Sequence, residues 1–223
     1  MEALVFSHLS HLKSSPLLRP LRRRACSLGL ACATAGLSVA ALAAAPAQAA
    51  LISTGACNEA ALSQPFAPWG DTNLYELVPG ASFEGSLAGW TLSGGAQRVS
   101  GSEPFGATGS VGAYSLSLPG GSSAQTPFTC VNASYPSFRF FARNESLIST
   151  VLVQVVYQTA LGAVALPLGT VALSAQWQPT LPMLTGSVLG GALSGGTGEV
   201  ALRFTALTGS SRIDDVFIDP RMR

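Results

Sequence analysis

The acid–base chemistry open to this chain depends on which titratable side chains follow residue 49. Both histidines, His8 and His11, and the only lysine, Lys13, precede that point. The 174 residues from Ala50 to Arg223 contain seven arginines and ten acidic residues, a net charge of −3. The lack of imidazole excludes Ser-His-Asp and Cys-His catalysis and imidazole-built zinc sites. The lack of lysine excludes Schiff-base chemistry, so carboxylate chemistry and oxygen-ligated metal sites remain.

The first 49 residues have the pattern of an export signal. An almost uncharged run over residues 25–49 ends in Ala47-Gln48-Ala49, and we expect cleavage after Ala49, giving a secreted or cell-surface protein. An uncleaved membrane anchor is the alternative, and the choice between Sec and twin-arginine export stays open. The basic residues that precede the run are Lys13, Arg19, Arg22, Arg23 and Arg24.

Two cysteines, Cys57 and Cys130, follow the export signal. In an exported chain, one disulfide between them is the simplest arrangement, and two free thiols are the alternative. The bridge would close a loop of about 70 residues, worth roughly 4 kcal/mol in the chain-entropy model. It would tie an irregular N-terminal segment, residues 50–73, to the rest of the fold.

From residue 74 onwards, short segments of strand character alternate with turn residues, and no long amphipathic helix interrupts them. Only 10% of the residues are charged and 48% are apolar, which excludes a disordered tail, a coiled coil and a nucleic-acid binder with a basic face. This pattern predicts an all-β domain over residues 74–223, an antiparallel sandwich of jelly-roll type with about ten strands. The predicted strands are Leu74–Val78, Ser82–Glu84, Trp90–Leu92, Gln97–Ser100, Tyr114–Leu118, Ala124–Cys130, Ser137–Asn144, Thr150–Thr159, Val164–Leu173, Trp177–Leu184, Val200–Ala206 and Arg212–Asp219.

Three short motifs resemble those of secreted jelly-roll modules. They are Ser82-Phe83-Glu84, Gly89-Trp90 and Arg212–Ile218, which reads RIDDVFI. Carbohydrate-binding modules and other galactose-binding-like domains have an early "FE…GW" strand that pairs near a late "IDDV" strand. Pro79–Ala81 stands where the usual Asn-Gly would precede "FE". The resemblance implies a jelly-roll fold and a non-catalytic module that recognises a glycan or another cell-envelope component.

The same resemblance implies a structural calcium held by Glu84 together with Asp214 or Asp215. Calcium prefers six to eight oxygen ligands, including carboxylates and carbonyls. Successive strand residues point to opposite faces, so only one of the two aspartates is expected to face inwards. The alternative is an ordinary salt bridge to an arginine, and the candidate arginines are Arg98, Arg139 and Arg203.

Aromatic side chains are the other candidates for ligand contact. Trp177 lies between two glutamines and near prolines, and Tyr135 precedes Pro136, so we expect both to be exposed and available to a ligand. Trp90 and Tyr157 are expected in the core, because most aromatic residues of a domain this size are buried.

Three functions are compatible with the sequence. The first is an exported, non-catalytic module that binds a glycan or wall component, with calcium as its only cofactor. The second is a structural or adhesive envelope protein without a small-molecule ligand. The third is a carboxylate-only hydrolase, for which Glu103 and Glu145 are loop candidates that no motif brings together. We favour the first, and expect no nucleic-acid partner and no stable membrane span after cleavage.

Overall fold

The computed structural model describes residues 61–132, 137–159, 162–184 and 197–219. These ranges form strands and one 3-10 turn, Ala67–Trp69, and none of them contains a helix that could span a membrane. The strands are β1 (Leu62–Ser63), β2 (Tyr75–Leu77), β3 (Thr91–Ser93), β4 (Gln97–Ser100), β5 (Tyr114–Leu118), β6 (Ser123–Gln125), β7 (Thr129–Asn132), β8 (Ser137–Asn144), β9 (Thr150–Thr159), β10 (Gly162–Ala172), β11 (Gln178–Pro179), β12 (Met183–Leu184), β13 (Thr197–Thr208) and β14 (Ser211–Asp219).

The described strands form two antiparallel sheets. The eight-stranded sheet has the order β1-β2-β14-β5-β4, with β8 on the other edge of β14 and β11 and β12 on the far edge of β8. The six-stranded sheet has the order β10-β9-β13-β6-β3, and β7 pairs with the start of β13. The prediction of an antiparallel β-sandwich is therefore confirmed.

The main core lies between the two sheets and follows from period-2 alternation in the long strands. In β9, Val151, Val153 and Val155 are fully buried in this core. Phe140 of β8 meets Phe204 of β13 edge-to-face, with ring centroids 5.0 Å apart. The residues between these positions point outwards, so each sheet also has an outer face.

A second, smaller core covers the outer face of the eight-stranded sheet. Its centre is Phe66, which lies just before the 3-10 turn and is fully buried. The Phe66 ring meets Tyr75 edge-to-face at 5.0 Å, stacks on Phe141 at 5.4 Å and meets Phe217 at 5.5 Å. The chain from residue 61 to β2 therefore forms a cover over this face.

Arg139 of β8 attaches the cover to the eight-stranded sheet. Its guanidinium lies over the Phe66 ring, 4.2 Å from the centroid, and its Nη1 is 2.7 Å from Asp71 Oδ2. Its Nε donates to the Thr180 carbonyl at 2.7 Å. Burial would raise the pKa of Asp71, but the hydrogen bonds from Tyr75 and Arg139 outweigh burial and lower it. The carboxylate is therefore charged and paired.

Three predicted strands differ from the observed ones. Trp177–Leu184 is interrupted and contains only the short strands β11 and β12. Ser82–Glu84 forms consecutive turns, in which Phe83 has a φ of 58° and its amide donates to Gly80. These turns bury Phe83 against Trp90, with ring centroids 5.1 Å apart, so packing of the ring overrides the strand tendency. The predicted strand Ala124–Cys130 is divided into β6 and β7, because Pro127 has no amide hydrogen for a sheet ladder.

Candidate functional site

Asp214 and Asp215 lie where β14 changes its neighbour. One edge of β14 pairs with β5 over Ser211–Ile213 and with β2 over Phe217–Ile218. Between these stretches the register with β8 shifts, and Asp215 has a φ of 46°. Both aspartates are consequently buried, at 0% and 3% exposure. The sequence predicted a regular strand here, whereas the strand bulges between Asp214 and Phe217.

The loop between β4 and β5 closes over these aspartates. Asp214 Oδ2 accepts hydrogen bonds from Ser102 Oγ at 2.7 Å and from the Glu103 amide at 2.9 Å. Glu103 is itself fully buried. Its carboxylate accepts the amides of Phe105 and Ala107. The loop is therefore shaped by buried carboxylates.

Glu84 approaches the same place from the turn before β3. The side chain is exposed on one side, and its Oε1 accepts the amides of Ala113 and Tyr114 at 2.7 and 2.8 Å. A Cβ on Gly112 would clash with Glu84 Oε1, so a larger residue there would force the carboxylate to move. We call Glu84, Glu103, Asp214 and Asp215 the acid cluster.

None of the arginines considered above forms a salt bridge with a carboxylate of the acid cluster. Burial, followed by the charge of Glu103, raises the pKa of Asp214 to about 7. Burial, followed by the charges of Asp214, Glu103 and Glu84, raises the pKa of Asp215 to about 8. Each of these arginines binds elsewhere: Arg98 to the Phe83 and Gly85 carbonyls, Arg139 to Asp71, and Arg203 to Gln125.

The donor chemistry of the acid cluster is that of a hard-cation site, with oxygen ligands only. In the described ranges, however, no three acidic, cysteine or histidine side chains converge on a point where they would hold one ion. Calcium binding would thus require the carboxylates to rearrange. Full burial of Asp214 and Glu103 keeps them from any substrate, so the cluster is suited to structure rather than to hydrolysis.

Glu145 is not part of the cluster. Its Oε1 forms an ion pair with Arg212, 2.6 Å from Nε, and accepts a hydrogen bond from Arg143 Nη2 at 3.1 Å. The sequence identified Glu84, Asp214 and Asp215 but not the association of Glu103 with them. That association follows from pairing: β5 lies between β4 and β14, which brings the β4–β5 loop to the bulge.

The outer face of the six-stranded sheet presents a second arrangement of polar groups, which we call the open face. On β13, Arg203 and Thr205 point outwards, because Leu202, Phe204 and Ala206 lie in the main core. Their neighbours across the sheet are polar except for Leu152 of β9, which lies beside Thr205. In one row, Arg203 lies between Gln125 of β6 and Gln154 of β9, and Thr91 lies beyond Gln125. In the next row, Thr205 lies beside Ser123, and Ser93 lies beyond Ser123.

Hydrogen bonds hold this row in position. Arg203 donates from Nε and Nη2 to Gln125 Oε1, at 3.2 and 2.8 Å. The hydroxyls of Ser93 and Ser123 are 2.8 Å apart. Each of these four side chains is exposed or half-buried. The remaining donors and acceptors of the guanidinium, amides and hydroxyls therefore face solvent, and such groups suit hydroxyl-rich ligands.

Trp177 is not exposed, and that expectation is wrong. It is 9% exposed and belongs to the second core with Phe141. The guanidinium of Arg143 lies 5.5 Å from its ring centroid. Pairing of β11 with the edge of β8 brings this tryptophan onto the sheet, so its ring is not free to stack on a ligand.

Several predicted features lie outside the described residues. They are the export signal, Tyr135 and Cys57. Cys130 lies on β7, and its pairing with Cys57 stays a prediction.

Several solved structures similar to the chain are carbohydrate-binding β-sandwich modules, the type that the three motifs resemble. The CBM22-1 xylan-binding domain from Paenibacillus barcinonensis Xyn10C has a TM-score of 0.45 and 13% identity, over 64% of this chain and 94% of that one. The CBM22-1–GH10 modules of Clostridium thermocellum endo-1,4-β-D-xylanase 10B, complexed with xylohexaose, have a TM-score of 0.45 and 14% identity, over 62% of this chain and 27% of that one.

A third similar structure is TmCBM61 in complex with β-1,4-galactotriose. Its TM-score is 0.39 and its identity 14%, over 64% of this chain and 96% of that one. No protein-family model and no curated protein matches the chain. At these levels of identity the similarity concerns the fold and does not identify a ligand.

Proposed function

We propose that the chain is an exported, non-catalytic glycan-binding module and that the open face is its binding surface. One observation carries the proposal. The outer face of the eight-stranded sheet is covered by residues 61–75, whereas the outer face of the six-stranded sheet presents a polar row around Arg203 to solvent.

The chemistry of the open face favours a neutral polysaccharide. Gln125, Gln154, Ser123 and Thr205 are uncharged, and they pair well with sugar hydroxyls. The Gln125 amide holds the guanidinium of Arg203 from one side. This fixed geometry lowers the entropy that ligand binding would cost.

Retention in gels containing soluble polysaccharide tests the proposal. The panel is xylan, β-1,4-galactan, a mixed-linkage glucan and a mannan. We expect at least one to retard the protein, and Arg203→Ala to weaken that binding roughly tenfold or more, because a charged hydrogen bond contributes about 1.5–3 kcal/mol. The matched control is Arg98→Ala, which removes an exposed arginine from the other sheet. No retardation by any polysaccharide, or equal losses in the two variants, would contradict the proposal.

We also propose that calcium binds at the acid cluster, through Glu84 and Asp214 or Asp215. The support is the oxygen-only donor set and the environment of Asp215, in which burial first, and the neighbouring carboxylates second, raise its pKa to about 8. A divalent cation would neutralise the charge of these carboxylates and would join the turn before β3 to the bulge of β14. Its role is structural, and it supplies no reactive group.

Export and the disulfide complete the proposal. Intact-mass measurement of protein recovered from the culture medium should give a chain that starts at Ala50. Peptide mapping without reduction should recover Cys57 and Cys130 in one linked fragment. A mass that includes residues 1–49, or two alkylatable thiols, would contradict this part of the proposal without affecting the open face.

A further inference from the structure

Aromatic rings are absent from the outward positions of the described parts of the six-stranded sheet. Sugars commonly pack their C–H faces on aromatic rings, and accessible rings occur elsewhere in the described residues. Phe105, on the β4–β5 loop, is 44% exposed. It borders a cleft of about 390 Å³ between that loop and the 3-10 turn that carries Trp69.

Two aromatic rings form a perpendicular corner in this cleft. The ring centroids of Trp69 and Phe105 are 5.0 Å apart, with an interplanar angle of 85°. Both rings also pack on Phe141, at 5.4 and 5.7 Å. Pro65 and Pro68 line the cleft beside Trp69, and their rings limit the motion of that wall.

Hydrogen bonds fix both walls before any ligand arrives. The Glu103 carboxylate accepts the amides of Phe105 and Ala107, and the Gly109 amide donates to the Gly106 carbonyl at 2.8 Å. On the opposite wall, Gln64 Nε2 donates to the Thr72 carbonyl at 2.6 Å. A preformed cleft of this kind binds with little ordering cost.

The lining of the cleft indicates the class of ligand. Its residues are aromatic, proline, glycine, alanine and glutamine, without a charged side chain, so a neutral ligand fits. The volume is at the low end of the range for ligand pockets, about 300–1,000 Å³, which limits the occupant to one or two sugar rings. Peptide groups of the Gly106–Gly109 turn lie beside Phe105 and can meet the hydroxyls of a sugar whose apolar face packs on the ring.

We propose that this cleft is a second carbohydrate-binding site, separate from the open face, which takes one or two sugar rings. This proposal depends on the proposed function in one respect only, namely that the ligand is a carbohydrate. The elements that build it are the cover and the β4–β5 loop, not the six-stranded sheet. Two sites on different faces would let one chain contact two glycan strands, or two parts of one strand, and would raise its avidity.

The test uses the full chain with xylohexaose and β-1,4-galactotriose as probes, observed by NMR at the Trp69 indole N–H. We expect at least one probe to shift this signal, and Phe105→Leu to weaken that response about tenfold, because leucine keeps the apolar contact but removes the ring. Val111→Ala, an exposed apolar substitution on the same loop, is the matched control and should change nothing. The thermal unfolding midpoint of each variant verifies folding, and Arg203→Ala should leave the Trp69 response intact.

The outcomes separate the two proposals. If the probes shift signals on the open face but never that of Trp69, the second site is refuted and the proposed function stands. An unchanged response in Phe105→Leu also refutes the second site, as does loss of the Trp69 response in Arg203→Ala. A polyproline peptide that shifts Trp69 where the sugars do not refutes the carbohydrate assignment. If neither probe nor any polysaccharide binds anywhere, both proposals fail.

Discussion

The two outer faces of the sandwich differ in what a single arginine does on each of them. On the eight-stranded sheet, Arg139 is 4% exposed, pairs with Asp71 and lies over the Phe66 ring. On the six-stranded sheet, Arg203 is half-buried, binds the amide of Gln125 and faces solvent. The first arginine fastens one part of the chain to another. The second is held in position but still has donors available to a ligand.

This difference assigns separate roles to the two sheets. The eight-stranded sheet holds the second core, the Arg139–Asp71 pair and the bulge with the acid cluster, all of which are structural features. The six-stranded sheet contributes its inner face to the main core. Its outer face is buried at Val156 and Ala201 but presents the polar row around Arg203 to solvent. Substitutions in the first sheet should therefore alter stability, and substitutions on the open face should alter binding.

The largest expected effect comes from Arg139→Ala. The substitution leaves Asp71 without its charged partner and removes the donor to the Thr180 carbonyl. Breaking a buried pair in this way costs about 3–5 kcal/mol. Arg203→Ala should cost about 1 kcal/mol or less. Urea unfolding of both variants measures the difference, and equal losses would remove the distinction between the faces.

The next effect concerns calcium and the acid cluster. Calcium should raise the thermal unfolding midpoint of the wild-type protein relative to the same sample in EDTA, since binding to the folded state alone stabilises it. Asp215→Asn should abolish this increase and should not change retention by polysaccharide. Equal midpoints with and without calcium in the wild type would exclude the site. Loss of glycan binding in Asp215→Asn would show that the two sheets do not have separate roles.

The pH dependence in EDTA should be smaller but has a definite sign. Burial first, and neighbouring carboxylates second, raise the pKa of Asp214 to about 7 and of Asp215 to about 8. A carboxyl group whose pKa is raised on folding stabilises the protein below its unfolded pKa, and this contribution is lost as pH rises through the folded value. The free energy of unfolding should therefore fall from pH 6 to pH 9.

The control for this prediction is Asp215→Asn, in which the decline should be shallower because one titrating group is gone. A free energy of unfolding that rises over the same interval in the wild type would mean that the buried aspartates are charged and paired in solution. That result would contradict the account of the acid cluster.

Sequence patterns predicted the long strands well because alternation of apolar and polar residues determines them. Ser137–Asn144 and Thr150–Thr159 match β8 and β9 in full, and the outward position of Phe141 follows from the same alternation. Features that depend on tertiary packing were not predictable. The turn around Phe83 and the bulge at Asp215 both need a positive φ at a non-glycine residue, which local propensity disfavours.

The candidate site likewise contains features that depend on tertiary packing and could not be predicted from the sequence. The resemblance pointed to Glu84, Asp214 and Asp215, but it did not identify Glu103, which joins them only because β5 separates β4 from β14. Trp177 was expected to be exposed because it is flanked by polar residues. Its burial depends on the pairing of β11 with the edge of β8, which brings it into the second core with Phe141, and no local pattern indicates that pairing.

Chemical-shift mapping of the backbone amides with the retained glycan shows whether the open face is the binding surface. We expect the shifts to concentrate on β6, β9 and β13, around Ser123–Gln125, Leu152–Gln154 and Arg203–Thr205. Apart from shifts near Phe141, which contacts the second site, we expect few on β2 and β8. Shifts that concentrate on β2 and β8, or a glycan that binds without perturbing β13, would contradict the proposal.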